Sequence, residues 1–143
     1  MTARHSVYWT ATTLTALSFL SGGAAYLLGL DAPRRGVVEL GYPAYVLTLL
    51  GILKVLGGLA ILAPGLPRLK EWAYAGISFD LIGAAFSQAA SGHPPDKLIA
   101  PLVMLAIALL SWALRPRSRT LESGKSLSAP ANTGARELAN API

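Results

Sequence analysis

Charged residues are almost absent from four long stretches of the chain. Two of these stretches contain no Asp, Glu, Lys or Arg, and each of the other two contains one charged residue near its centre: residues 7–30, 98–114, 44–63 with Lys54, and 72–92 with Asp80. A transmembrane helix needs about 20 apolar residues, whereas a spanning strand is shorter and alternates between apolar and polar positions. The pattern predicts an all-α integral membrane four-helix bundle.

Proline-rich and glycine-rich loops separate the predicted spans, which we place at about residues 8–30, 44–63, 71–90 and 97–114. Together they make residues 1–114 one membrane domain. Residues 115–143 are rich in Ser, Pro, Ala, Asn and Gly and lack apolar periodicity, which predicts a disordered cytoplasmic tail. A cleaved signal peptide is the alternative for the first span, but its apolar run continues past the small residues that would form a cleavage site.

Lys and Arg residues near the predicted membrane ends set the expected orientation. The N-terminus, the second loop and the start of the tail carry more of them than the first and third loops: Arg4, Arg68, Lys70, Arg115, Arg117, Arg119 and Lys125, against Arg34, Arg35 and Lys97. Positively charged ends favour the cytoplasmic side of the membrane. We therefore predict a multi-pass protein of the cell membrane with both termini in the cytoplasm.

Composition excludes several classes of protein. Charged residues make up only 13 % of the chain, and cysteine is absent, which rules out disulfides, thiolate nucleophiles and iron–sulfur clusters. The net charge of +5 comes from basic residues beside the predicted membrane segments, where topology and anionic lipid account for it. No basic helix with interleaved aromatic residues is present, so nucleic acid is not an expected partner.

Lys54 and Asp80 lie at equivalent depths in two successive predicted spans. Each is nine residues from its end of the connecting loop, which corresponds to about 13 Å along a helix. The loop is short, so the two helices should be antiparallel neighbours and the two charges should lie level near mid-membrane. An unpaired charge there costs on the order of 3 kcal/mol, and the lysine side chain is too short to reach the interface. We therefore predict an intramembrane ion pair.

Small residues recur along one face of the first three predicted spans. The stripes are Ala73, Gly76, Asp80, Gly83 and Ser87 on the third span; Leu47, Gly51, Lys54 and Gly58 on the second; and Thr15, Ser18, Gly22, Ala25 and Gly29 on the first. Small side chains let helix backbones approach each other within a membrane. We therefore expect helix–helix contacts along these stripes, with both charges facing the bundle interior.

The ion pair has two interpretations. As a structural lock, it fixes the register of the second and third spans. As a functional group, Asp80 or Lys54 exchanges a proton or contacts a polar ligand. A tight pair keeps both side chains charged, which disfavours proton transfer until something separates them. The sequence leaves both interpretations open.

Few other residues are candidates for chemistry. Four polar residues are candidates for lining a pocket for a quinone head group or another solute, with helix packing or an interfacial position as the alternative: Ser87, Gln88, Tyr45 and Ser18. The two histidines, His5 and His93, lie outside the spans, so they cannot form a buried pair of haem ligands. No catalytic set, phosphate-binding loop or metal-ligand spacing occurs. We expect no catalytic residues, no metal and no cofactor, and hence a protein that is not an enzyme.

Three segments between residues 39 and 92 occur in a characteristic order: LGYP, then LGILKVLGGLAIL with Lys54, then KEWAYAGISFDLIGA with Asp80. In this order they resemble the DoxX-like family of small four-span bacterial membrane proteins. The resemblance implies a four-helix membrane bundle. It also implies an accessory role in electron transport, because the family is named from a subunit associated with an archaeal terminal quinol oxidase. Members often carry histidine where this chain has Gln88, which weakens a proton or quinone role at that position.

These observations predict a DoxX-like integral membrane protein that is a non-catalytic accessory or assembly subunit of a membrane complex, of the quinone-linked redox kind. One alternative is a small proton-coupled solute or drug transporter that uses Asp80. The other is a purely structural membrane scaffold. The expected partners are the lipid bilayer and either a membrane oxidoreductase or a second copy of the chain.

Overall fold

The computed structural model describes residues 3–116 and 119–120. Within these residues it contains helices and no strands. They are α1 (Ala3–Leu27), α2 (Asp31–Glu39), α3 (Tyr45–Leu62), α4 (Pro67–Ala90) and α5 (Asp96–Ala113). The four long helices form a bundle in which α1 packs against α3 and α5, and α4 packs against the same two helices. The predicted all-α class is confirmed.

The number of helices suited to a membrane is lower than predicted. Within the described residues, α3 and α5 are long and apolar enough to cross a bilayer, and a third span results if α1 and α2 count as one broken segment. The sequence analysis expected four spans. The difference arises because α1 and α4 contain more small and polar residues than α3 and α5. The chain is a helical membrane protein, and α1 and α4 as full spans stay a prediction.

The first loop contains a helix that the sequence analysis missed. α2 is nine residues long and is bent by 87° from α1. Its inner face buries Val37, while its charged residues, including Arg34 and Glu39, are exposed. Pro33 and the short length of the segment hid this pattern, because nine residues give only one amphipathic repeat. Gly41 ends the segment with a φ of +85° that a side chain would disfavour.

The closest helix contact in the bundle is made by glycines of α1 and α3. A β-carbon added at Gly23 would lie 2.9 Å from the Gly51 carbonyl oxygen and 3.0 Å from the Val55 nitrogen. A β-carbon at Gly58 would lie 3.2 Å from the Ala16 carbonyl oxygen. The predicted approach along the Gly51–Gly58 face is therefore confirmed, although the glycine of α1 in closest contact is Gly23 and not Gly22.

The small-residue stripe of α4 does not pack as predicted. A β-carbon at Gly76 or Gly83 would meet no atom within 4 Å, so the expectation of helix contacts at these two positions is wrong. The helices around α4 stay at ordinary distances because large side chains such as Ile77 and Leu81 fill its buried face. The two glycines instead face open spaces beside the ion pair.

The contrast between these glycines gives a matched test of helix packing. Replacing Gly23 by alanine should lower the free energy of unfolding by about 1–3 kcal/mol, because the neighbours in contact are backbone atoms that cannot move independently. Replacing Gly76 by alanine should leave it unchanged or raise it by up to about 1 kcal/mol, since alanine favours the helix. Titration with sodium dodecyl sulfate in detergent micelles measures both. Equal effects would contradict the packing described here.

The two termini of the described chain lie at one end of the bundle, which we call the basic end and which contains Arg4, Arg68, Lys70, Arg115 and Arg119. Lys70 is fully buried there, and its ammonium group donates hydrogen bonds to the carbonyl oxygens of Ala60, Ile61 and Ala63. These carbonyls end α3 and have no partner within the helix. A cation at a helix C-terminus also interacts favourably with the negative end of the helix dipole. Lys70 therefore caps α3 from the first turn of α4.

A polar network joins α1, α4 and α5 next to this cap. The Ser111 hydroxyl lies 2.7 Å from both the Thr12 and the Tyr74 hydroxyls. Glu71 accepts a hydrogen bond of 2.9 Å from Trp112 Nε1 and one of 2.6 Å from Arg115 Nη2. Because buried polar groups must find partners, this network fixes how the three helices meet.

The start of the predicted tail contacts the bundle. Arg115 is only 5 % exposed, and Arg119 donates a hydrogen bond of 3.3 Å to the Tyr8 hydroxyl and lies 4.8 Å from the Trp9 ring centre. The composition around Arg115 gave no sign of this, because the partners are distant in sequence. The remaining tail residues, 117–118 and 121–143, lie outside the described residues. Which side of the membrane the basic end faces stays a prediction.

Candidate functional site

Lys54 and Asp80 lie in direct contact between α3 and α4. Lys54 Nζ donates to Asp80 Oδ2 at 2.5 Å, near the middle of both helices. Their side chains are 15 % and 18 % exposed. Each charge therefore has its counter-ion, yet the pair is still accessible from the spaces around it.

Aromatic rings of α1 complete the surroundings of the lysine. Lys54 Nζ lies 4.4 Å from the centre of the Phe19 ring and 5.8 Å from that of Tyr26. A cation is attracted to the face of such rings, most strongly where water is excluded. The close glycine contact between α1 and α3 brings these rings within reach. Lys54 is thus held by a carboxylate on one side and by α1 on the other.

An apolar groove opens between α3 and α4 on the side of the pair that faces the basic end. It has a volume of about 530 Å³. Its walls include Leu53, Trp72 and Gly76, and the ion pair lies at its inner end. Trp72 is 81 % exposed, so this space opens at the outer surface of the bundle. We call it the α3/α4 groove.

A second space extends from the pair toward α2. This α2-side cavity has a volume of about 280 Å³ and is covered by Val37 and Leu40 of the α2 segment. At the edge of this cavity, the hydroxyls of Tyr42 and Ser87 are hydrogen-bonded to each other at 2.7 Å. The two spaces share Leu50, Lys54, Phe79 and Asp80 as lining residues, so both border the ion pair.

The structure brings one of the four predicted pocket residues to these spaces. Ser87 lines the α2-side cavity. Tyr45 is 72 % exposed at the start of α3, and neither it nor Gln88 lines the groove or the α2-side cavity. Ser18 lies 3.8 Å from Met104 Sδ, at the boundary of α1 and α5. The last three positions share the polarity of Ser87 but lie on other helix faces.

Tyr42 is the site residue that sequence reasoning missed. It lies in the turn before α3, where only the neighbouring Gly41 and Pro43 suggested a defined conformation. Its contact with Ser87 joins residues 45 positions apart, which no local pattern predicts. In the described part of the chain, no group of three or more His, Asp or Glu side chains is arranged to hold a metal ion.

The residues of the groove, the α2-side cavity and the ion pair all lie within the part of the chain that matches one family model. The model described as the DoxX-like family matches residues 10–111, which is well over half of the chain. The chain belongs to the DoxX-like family. The match extends the resemblance seen at residues 39–92 to α1 and α5, so the DoxX-like region includes most of the four-helix bundle. No curated protein and no solved structure matches the chain significantly.

Proposed function

We propose that this DoxX-like protein is a non-catalytic accessory subunit of a membrane oxidoreductase complex, and that the α3/α4 groove receives the lipid-soluble carrier of the quinone class that such a complex uses. The observation that carries the proposal is the groove itself, an apolar space of about 530 Å³ with one ion pair at its inner end. Sites for small organic molecules have this size and this mixture of apolar walls with a few polar groups.

The position of the groove favours a ligand that arrives from the bilayer. Trp72 and Phe79 line it and are largely exposed on the surface of α4. A membrane places acyl chains against such a surface. The chain has no cysteine, so it supplies no thiol or iron–sulfur ligands of its own. In this proposal the electron-transfer groups belong to the partner, and the subunit holds the carrier.

The proposal predicts that quinone and an oxidoreductase co-purify with the full-length chain in mild detergent. Replacing Gly76 by leucine should lower the bound quinone severalfold, because the new side chain would fill the groove, where no atom lies within 4 Å of its β-carbon. Ala106, an exposed residue of α5, provides the control, because Ala106→Leu places the same leucine side chain outside the groove. Solvent extraction with mass spectrometry measures quinone per protein.

Two results would contradict the proposal. One is a purified chain without oxidoreductase and without quinone. The other is a quinone content that Gly76→Leu and Ala106→Leu change equally, since bulk would then act through the lipid surface and not through the groove.

A proton-coupled transporter is the second candidate function. The arrangement of the two spaces favours it. Both spaces border Asp80, and they extend from the ion pair toward opposite ends of the helices. Such an arrangement is suited to a group that is reached from either side in turn. This candidate requires proton-driven solute uptake by proteoliposomes of the purified chain, and loss of that uptake in Asp80→Asn.

A further inference from the structure

The α2-side cavity differs from the groove in the chemistry of its walls. Tyr26, Tyr42 and Ser87 bring three hydroxyl-bearing side chains to it, whereas the groove is apolar apart from the ion pair. Because both spaces border Lys54 and Asp80, an elongated molecule that lies across the ion pair would have apolar walls around its groove end and hydroxyl groups around its other end. This order suits a molecule with an apolar tail and a polar head.

The charges of the site select an uncharged head group. Lys54 and Asp80 neutralise each other, and no other charged residue lines the α2-side cavity. A charged head would add an unpaired ion at this depth, which is costly in a membrane. A neutral group that accepts hydrogen bonds avoids that cost.

Hydrogen-bond donors remain at both ends of the α2-side cavity. When two hydroxyls share one hydrogen bond, one of their two protons is used and the other stays available. This holds for Tyr42 and Ser87 at the α2 end. At the inner end, the Lys54 ammonium has three protons, of which one is directed to Asp80. The cavity can therefore donate to an acceptor at each end.

The spacing of these donors suits a ring with oxygen atoms at opposite positions. Asp80, which marks the depth of Lys54 Nζ, and Ser87 are seven residues apart on α4, which corresponds to about 10 Å. A six-membered ring with two opposite carbonyl oxygens, hydrogen-bonded at both, spans roughly 11 Å from donor to donor. The two lengths agree.

We infer that the α2-side cavity holds the head group of the ligand, an uncharged dicarbonyl or dihydroxy ring of the quinone class, between the Tyr42–Ser87 hydroxyls and Lys54, while the apolar tail lies in the α3/α4 groove. The inference rests on the proposed function, because it places the head of the same carrier. It assigns head recognition to Tyr42 and Ser87, two residues at the edge of the bundle. α2 then lies over the head group as its cover.

The test uses the full-length chain in lipid nanodiscs and two probes, decylubiquinone and its tailless ring, 2,3-dimethoxy-5-methyl-1,4-benzoquinone. Saturable quenching of tryptophan fluorescence reports binding of each. The double variant Tyr42→Phe with Ser87→Ala removes both hydroxyls and with them the free donor, so it should weaken both probes about fivefold, as expected for the loss of one hydrogen bond. Gly76→Leu should weaken only the tailed probe. Tyr45→Phe is the matched control, because Tyr45 lies on the exterior outside both spaces, and it should change neither.

The outcomes separate this inference from the proposed function. If decylubiquinone binds and Gly76→Leu weakens it, but the double hydroxyl variant does not, the head lies elsewhere and the inference fails while the proposed function stands. If neither probe binds saturably to the unaltered chain, both fail. An unchanged thermal midpoint of each variant in detergent shows that the fold is retained. If the double hydroxyl variant weakens probe binding no more than Tyr45→Phe does, the inference is also overturned.

Discussion

Replacing Asp80 by asparagine should lower the free energy of unfolding by about 3 kcal/mol, because Lys54 would keep its charge and lose its carboxylate partner. The contact between the two side chains is direct, at 2.5 Å, and among the described residues no other carboxylate lines the groove or the α2-side cavity to replace Asp80. The rings of Phe19 and Tyr26 stay near the ammonium and compensate only in part. Unfolding by sodium dodecyl sulfate in detergent micelles measures the loss.

The double variant Lys54→Met with Asp80→Asn shows whether the loss comes from the pair. With both charges removed, no ion is left without a partner, so the double variant should be more stable than the sum of the single changes predicts, by about 2 kcal/mol. Single changes that simply add would show that the two residues act independently. A restored fold that fails to hold quinone would indicate that the pair is more than a structural lock.

Replacing Lys70 by methionine should also have a large effect, about 3 kcal/mol. The change keeps most of the apolar length of the side chain but removes the ammonium group that donates to Ala60, Ile61 and Ala63. Three carbonyl oxygens at the end of α3 would then lose a charged donor at a fully buried position. The same detergent titration measures the effect.

Lys97 provides the control for this prediction, since it is an exposed lysine at the start of α5. Lys97→Met makes the same chemical change without breaking a buried contact, so it should alter the free energy of unfolding by less than about 0.5 kcal/mol. If the two variants unfold alike, Lys70 does not cap α3.

The features that could be predicted from the sequence depend on residues that are close together along the chain. The charge-poor stretches place the helices because a long apolar run has few other stable forms in a membrane. The antiparallel pairing of α3 and α4 follows from their short connection, and equal distances from that loop put Lys54 and Asp80 level. The stripe at Gly51 and Gly58 indicated where α3 approaches another helix.

The features that the sequence analysis missed depend on contacts between residues that are far apart along the chain. A stripe of small residues predicts a close helix contact only if a partner has a matching face, and for Gly76 and Gly83 no partner fills the space. The same glycines therefore line the groove and the α2-side cavity. In the same way, the sequence around Lys70 suggests an ordinary charged residue near a loop. Only the position of the α3 carbonyl oxygens in the structure makes Lys70 a helix cap.

The sequence by itself determined the helical membrane class, the main helices and the level positions of the two opposed charges on α3 and α4, because these depend on hydrophobicity and on distance along one helix. The tertiary structure alone decided which faces close and which stay open, and so it decided the groove, the α2-side cavity and the Tyr42–Ser87 contact. Open space and contacts across the bundle depend on the relative positions of several helices, and a linear pattern holds no record of those positions.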